Sequence, residues 1–168
     1  MKIYLAGPDV FRPDALVWAE TARTLCRERG LTPLLPIDGA ETTAEGIYHH
    51  NRRLIAEADA VVANLNPFRG HEPDSGTCVE VGVALALGKP VFGYIRDGRP
   101  LTKRVPGKLE KDGLRDADGM LVEDFNLPLN LMIAAPARII IGDLAETLDA
   151  LLMELPEASL RIPSQTGQ

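Results

Sequence analysis

The feature that most constrains the fold is an uninterrupted apolar run at residues 59–65, DAVVANL. A strand without polar alternation is typical of a parallel sheet that is covered on both faces. Shorter β-favouring runs at 2–6, 31–35 and 91–95 alternate with segments of helical periodicity. This alternation predicts βαβ units with right-handed crossovers. We therefore expect an α/β fold in which a mostly parallel sheet carries helices on both faces.

The remaining segments complete the expected organisation of the chain. Apolar residues recur at helical spacing in the segments 13–29, 43–58, 76–87 and 143–155. Residues 96–124 are rich in glycine, proline and mixed charge, which predicts a lid or an insertion. Residues 138–141 fit either a last strand or a helical continuation. We expect a single domain over 1–155 and a loose tail over 156–168.

Composition and charge exclude several classes of protein. The chain has 168 residues, and its hydrophobic content of 45% is enough to fill a core. Its apolar runs are too short to span a membrane, and it opens without a signal-peptide pattern, so we expect a cytoplasmic protein. The net charge of -6 and the scarcity of aromatic residues argue against a nucleic-acid surface.

Metal and cofactor signatures are equally scarce. Cys26 and Cys78 lie far apart and show no paired spacing, so neither a disulfide framework nor a cysteine zinc site is indicated. His49, His50 and His71 lack a metal-ligand spacing, so no metal is expected. The glycine-rich fingerprints GxGxxG and GxxxxGK are absent, and we expect no cofactor.

Glu80 is the only charged residue in the predicted helix 76–87. A carboxylate among apolar neighbours loses solvation, so it needs hydrogen-bond partners or takes a raised pKa. One interpretation is a catalytic carboxylate that leans over the end of the preceding strand, where Tyr4 of the first strand also reaches. The other is a capping box, in which Glu80 reaches back to the backbone at Thr77. The pattern alone leaves both open.

Other candidate site residues lie in the loops at the same edge of the predicted sheet. Asp74, just before the helix, is suited to an N-cap or to holding a sugar hydroxyl and managing protons. Gly7 and Gly76 allow a ligand to approach the backbone closely. Phe11 is placed either to stack on a flat heterocycle or to fill the core, and Phe68 either to contact the substrate or to tuck onto the core.

Four blocks of sequence resemble the nucleoside 2-deoxyribosyltransferase family. They are IYLAGP at 3–8, Asn51, ANLNPFRGHEPDSGTCVEVGVALALGKPV at 63–91, and VEDFNLPLNLM at 122–132. The resemblance implies a flavodoxin-like, Rossmann-like doubly wound sheet. It also implies transfer of 2-deoxyribose between nucleobases through a covalent sugar-enzyme intermediate. The expected partners are small 2-deoxyribonucleosides and free nucleobases, with neither a nucleic acid nor a membrane among them.

The resemblance also implies a role for individual residues. Glu80 matches the nucleophile, Tyr4 the tyrosine that positions it, and Asp74 the acidic residue on the sugar side. Asn130 matches an asparagine that reaches into a neighbouring subunit's site, which implies a homo-oligomer. Some family members have an aspartate at the position of Asn51 and use it near the base, whereas this chain has a neutral amide there.

Two further functions stay open at the level of sequence. One is a nucleoside or deoxynucleotide N-glycosidase of the same superfamily, which hands the sugar to water. The other is a non-catalytic nucleotide-sensing module, in which Glu80 only caps its helix. The fold alone does not separate these functions from the transferase.

Overall fold

The centre of the molecule is a parallel sheet whose strands follow the sequence-predicted alternation with helices. The computed structural model describes residues 1–155. Within this range the strands are β1 (Lys2–Ala6), β2 (Thr32–Leu34), β3 (Ala60–Asn64), β4 (Val91–Ile95), β5 (Lys108–Glu110), β6 (Gly113–Arg115) and β7 (Arg138–Ile141). The helices are α1 (Ala15–Arg27), α2 (Ala44–Glu57), α3 (Ser75–Ala86), α4 (Leu131–Ala134) and α5 (Leu144–Glu154). The bounds of α1, α2, α3 and α5 differ from those of the predicted helical segments by one or two residues.

The five strands of the main sheet lie in the order β2-β1-β3-β4-β7, and every neighbouring pair is parallel. Counted along the sheet alone, this is the 2-1-3-4-5 order of flavodoxin-like doubly wound folds. The predicted fold class is therefore confirmed. In such sheets the order reverses between β1 and β3, and ligands bind beyond the carboxyl ends of the strands at that point.

Two apolar layers, one on each face, hold the sheet between its helices. Successive residues of a strand point to opposite faces, so Ile3 and Leu5 of β1 face one layer while Tyr4 and Ala6 face the other. The first layer includes buried residues of α1 and α5, and the second those of α2 and α3. Glu80 of α3 and Tyr4 of β1 consequently belong to the same face of the sheet.

The structure resolves the ambiguity at residues 138–141 in favour of a strand. Residues Arg138–Ile141 pair in parallel with Phe92 to Ile95 of β4. The preceding helix α4 spans only four residues and ends before Pro136, which cannot continue a helix. Three consecutive isoleucines, which are β-branched, then favour an extended chain.

The segment 96–124 is more ordered than its composition predicts. It contains a 3-10 turn at Leu101–Lys103 and an antiparallel hairpin made of β5 and β6. These strands of three residues are too short and too polar to show a period-two pattern in the sequence. A lid role for this segment stays a prediction, and the expected tail at 156–168 lies outside the described residues. No helix within residues 1–155 has both the length and the hydrophobicity that crossing a bilayer requires.

Candidate active site

Helix α3 begins one turn before Glu80, and Asp74 caps it. The Asp74 Oδ2 atom accepts hydrogen bonds from the Thr77 backbone nitrogen at 2.9 Å and from the Thr77 Oγ1 hydroxyl at 3.1 Å. Glu80 is therefore the sixth residue of the helix, too far from its start to serve as the carboxylate of a capping box. The capping-box interpretation of Glu80 is wrong, whereas the N-cap interpretation of Asp74 is correct.

The Glu80 carboxylate instead receives two hydrogen bonds from other elements. Its Oε1 atom accepts from the Tyr4 hydroxyl at 2.6 Å and from the Asn51 Nδ2 amide at 3.2 Å. Tyr4 is fully buried on β1, and Asn51 lies on α2. Because both bonds end on Oε1, the Oε2 atom is left without a hydrogen bond from residues 1–155.

Burial controls the protonation of this pair. Desolvation raises the pKa of Glu80 from 4.5 to about 7, although the hydrogen bonds from Tyr4 and Asn51 oppose the shift and the charge of Asp74 adds to it. Desolvation and the neighbouring Glu80 also raise the pKa of Tyr4 well above its usual range. Tyr4 therefore remains a hydrogen-bond donor, and Glu80 changes its charge near neutral pH.

A cavity of about 420 Å³ opens beside this pair. Its polar end holds Glu80, Asn51, Asp74 and Thr77, and the other walls are mainly apolar. The lining residues are Gly7, Val10, Phe11, Pro36, Ile37, Gly39, Glu41, Ile47, Asn51, Asp74, Gly76, Thr77 and Glu80. The cavity thus brings together most of the residues that the sequence singled out, while Tyr4 lies behind its wall.

Two glycines let the chain pass close to this cavity. A Cβ atom on Gly7 would lie 2.8 Å from the Asn64 Cβ and 2.9 Å from the Asp9 Oδ2. A Cβ on Gly76 would lie 3.0 Å from the Asp74 Oδ2. The contact at Gly7 is tighter than a Cβ atom tolerates, so this position requires glycine, whereas at Gly76 the Asp74 carboxylate would have to shift only slightly.

Phe11 and Phe68 form a stacked pair at the mouth of the cavity. Their ring centroids are 5.6 Å apart and the ring planes differ by 19°. The Arg69 guanidinium lies over both rings, 4.6 Å from the Phe68 centroid and 5.5 Å from the Phe11 centroid. Phe11 is 59% exposed. Phe68 is half-buried, and its ring packs against Phe11 and Arg69 rather than in the core. A substrate contact of Phe68 stays a prediction.

Asn130 lies apart from Glu80 within the same chain. It lines a second cavity of about 410 Å³, which is formed by the loop 68–73 and by parts of the segment 101–123. Its Oδ1 atom caps α4 by accepting from the Met132 backbone nitrogen at 3.0 Å, and its amide donates to Glu123. Phe68 also lines this second cavity, so the aromatic pair separates the two.

The sequence analysis missed a buried polar pair behind Gly7. Asp9 is only 6% exposed, and its Oδ2 atom accepts from the Asn64 Nδ2 amide at 2.8 Å. Desolvation raises the pKa of Asp9. The pair ties the loop after β1 to the end of β3. Its signal in the sequence was one polar residue at the end of the apolar run of β3 and another three residues after β1. Glu41 was also missed, and it has no motif to mark it.

A sequence model described as nucleoside 2-deoxyribosyltransferase matches residues 3–132, more than half of the chain. The chain belongs to this family. The 2-desoxiribosyltransferase from Leishmania mexicana is 37% identical, with a TM-score of 0.78 over 92% of this chain and 98% of that one. The uncharacterized protein C191.05c of Schizosaccharomyces pombe is 31% identical over 155 residues, 77% of this chain and 74% of its own length. Family and structure together support an enzyme that transfers glycosyl groups.

We predict that Glu80→Gln stabilises the protein in a pH-dependent way. Because the folded-state pKa of Glu80 is about 7 against 4.5 for an unperturbed side chain, the folded state holds its proton more tightly. Wild-type stability therefore declines as the pH rises from about 4.5 through about 7, by up to roughly 3 kcal/mol from this group. Glutamine keeps both hydrogen bonds and has no charge to desolvate.

The measurement is the free energy of unfolding by urea at about pH 5 and about pH 8. The variant should exceed the wild type at the higher pH, and the difference should shrink at the lower one. Glu57→Gln, at the exposed end of α2, is the control that should show no such trend. Equal stability of the wild type and Glu80→Gln at both pH values would contradict a desolvated carboxylate.

Proposed function

We propose that the protein transfers 2-deoxyribose between nucleobases through a covalent bond from the anomeric carbon C1′ to Glu80. One observation carries this proposal: Tyr4 and Asn51 both hold Oε1 of a desolvated carboxylate that lines a cavity, leaving Oε2 without a hydrogen-bond partner among residues 1–155. A fixed carboxylate with one free oxygen suits nucleophilic attack. Desolvation strengthens it further, because fewer solvent hydrogen bonds must be removed first.

The reaction then has two balanced steps. In the first, the bond between C1′ and the base nitrogen breaks, its electron pair leaves with the base, which takes up a proton from water, and Glu80 Oε2 bonds to C1′. In the second, a nitrogen of the incoming base attacks C1′, gives up its N–H proton to water, and releases the carboxylate. Both steps pass through oxocarbenium character, which the negative charge of Glu80 stabilises. A deoxyribose reaches this state more easily than a ribose, because it lacks the electron-withdrawing 2-hydroxyl.

Asp74 supports a nucleoside rather than a nucleotide as the substrate. Its Oδ2 atom is used to cap α3, whereas Oδ1 receives no hydrogen bond from residues 1–155. A free carboxylate oxygen in the cavity accepts from a sugar hydroxyl. The same negative charge repels a phosphate from the helix terminus that otherwise favours anions. We assign Asp74 to the sugar side, with Gly7 and Gly76 giving the sugar room.

Phe11 supplies the flat wall for the base. Its exposed ring lines the apolar part of the cavity and is held from behind by Phe68 and Arg69. An aromatic ring fixed in this way offers a stacking surface to a purine or a pyrimidine. Asn51 holds Glu80 with its amide nitrogen and lines the cavity beside the place that we assign to the base.

We further propose that Asn130 completes the site of a second subunit. In its own chain it faces the second cavity and not Glu80. Several apolar side chains of the segment 120–132, which contains Asn130, are exposed: Met120 at 67%, Phe125 at 62% and Met132 at 72%. Exposed apolar side chains of this kind are available to a protein interface. A homo-oligomer would bury them and would exclude water from the reaction.

Exchange activity tests the proposal directly. Incubation with deoxyadenosine and free hypoxanthine should yield deoxyinosine and adenine. Glu80→Gln should lower the rate at least about 10³-fold, because the nucleophile is lost. Glu45→Gln, an exposed glutamate at the start of α2, should keep the wild-type rate. Free deoxyribose in place of deoxyinosine would indicate an N-glycosidase, and absence of both products would contradict either enzyme.

A shared site predicts complementation between two inactive variants. Glu80→Gln lacks the nucleophile, and Asn130→Ser lacks the long amide while serine retains the cap of α4. If Asn130 serves the neighbouring subunit, mixed oligomers contain sites in which both residues are intact, and the mixture should regain exchange activity. No recovery after subunit mixing, or full activity of a strictly monomeric protein in sedimentation, would contradict the shared site.

A further inference from the structure

The apolar part of the active-site cavity contains one carboxylate that the proposed mechanism does not use. Glu41, in the loop between the 3-10 turn Pro36–Asp38 and α2, lines the cavity together with Ile37 and Ile47. Its side chain forms neither a hydrogen bond nor an ion pair with any residue in 1–155. A carboxylate without a partner at an apolar wall is available to a ligand.

The Glu41 carboxylate lies beside the first turn of α2. A Cβ on Gly46 would lie 2.7 Å from the Glu41 Oε2 atom, although the Glu41 side chain is itself exposed. Asn51 lies five residues beyond Gly46 on the same helix, about 7.5 Å along its axis. Ile47, one turn from Asn51, lines the same cavity. Because Glu41 and Glu80 line one cavity, we place the sugar-bearing nitrogen of the base near Glu80 and its opposite edge near Glu41.

We propose that Glu41 selects nucleobases that carry an amino group at the edge opposite the sugar. The inference rests on the proposed function only in taking a nucleoside as the occupant. An exocyclic amino group, as in adenine or cytosine, donates a charge-assisted hydrogen bond to the carboxylate. Hypoxanthine and uracil also carry a ring N–H on this edge, so their disadvantage is the carbonyl oxygen that replaces the amino group and presents its lone pairs to the negative charge.

A purely structural role would leave a different signature. The Glu41 carboxylate also lies near the N-terminus of α2, where a negative charge is favourable to the helix dipole. If that were its only role, Glu41→Gln would lower the melting temperature and would reduce the affinity for every nucleoside by the same factor. The ratio of affinities for two bases therefore separates recognition from stability.

The test measures nucleoside binding in the inactive Glu80→Gln background, so that no turnover is required. Calorimetric titration compares deoxyadenosine, deoxyinosine and the nucleoside of unsubstituted purine, with and without Glu41→Gln. We expect deoxyadenosine to bind roughly tenfold more tightly than deoxyinosine, and this ratio to fall towards one in Glu41→Gln, whose amide serves donor and acceptor bases alike. Glu45→Gln in the same background should keep the original ratio.

Each result of the titration either supports or overturns the role of Glu41 in base selection. An unchanged ratio in Glu41→Gln, equal affinities in the Glu80→Gln parent, or absence of nucleoside binding would overturn the inference. Selective binding that depends on Glu41 would support it, even if the wild type showed no base exchange. That combination would refute the proposed transferase while leaving the recognition of the amino group intact.

Discussion

The hydrogen bond from the Tyr4 hydroxyl to Glu80 is the interaction on which the site depends. A carboxylate in a helix with apolar surroundings is unfavourable unless donors hold it. Tyr4 provides the shorter of the two bonds, 2.6 Å, from a ring that is itself fully buried. Desolvation raises the pKa of both partners, so the tyrosine keeps its proton and the carboxylate titrates near neutrality. The site thus retains a poorly solvated, reactive charge at the expense of the stability of the fold.

The doubly wound fold produces this interaction by bringing three elements to one edge of the sheet. Tyr4 points from β1 to the face covered by α2 and α3, from which Asn51 and Glu80 approach it. Asp74 fixes the start of α3 and hence the position of Glu80 along the helix. The loop after β1 is held by the pair of Asp9 and Asn64, which leaves Gly7 at the cavity wall. The hydrogen bond that caps α3 and the one between Asp9 and Asn64 both constrain the geometry of the cavity.

Much of this arrangement was predictable because it follows from strong local patterns. The alternation of apolar strands with helices predicted the sheet, and the lone charge at Glu80 marked the site. The 3-10 turn and hairpin within 96–124 were missed because their polar, three-residue strands resemble a loop in sequence. Residues 138–141 were ambiguous, since an isoleucine run fits a strand or a helix. Pairing with the edge of β4 makes it a strand.

Contacts between distant segments were harder to predict than the elements themselves. The stacking of Phe11 on Phe68 depends on how two loops meet, and no spacing in the sequence expresses it. The hydrogen bond from Asn51 to Glu80 joins two helices, α2 and α3, and no spacing in the sequence expresses it. Glu41 has no motif, and only its place in the cavity distinguishes it from the other glutamates.

The most direct test of the central claim is to trap the covalent intermediate. The protein is incubated with a deoxynucleoside, quenched in acid within a turnover, digested, and analysed by mass spectrometry of the peptide that contains Glu80. The account predicts that this peptide gains the mass of one deoxyribosyl group, with fragments that place the ester on Glu80, and that Glu80→Gln shows no such peptide. Rapid base exchange without any labelled peptide, or with the label on another residue, would contradict the account.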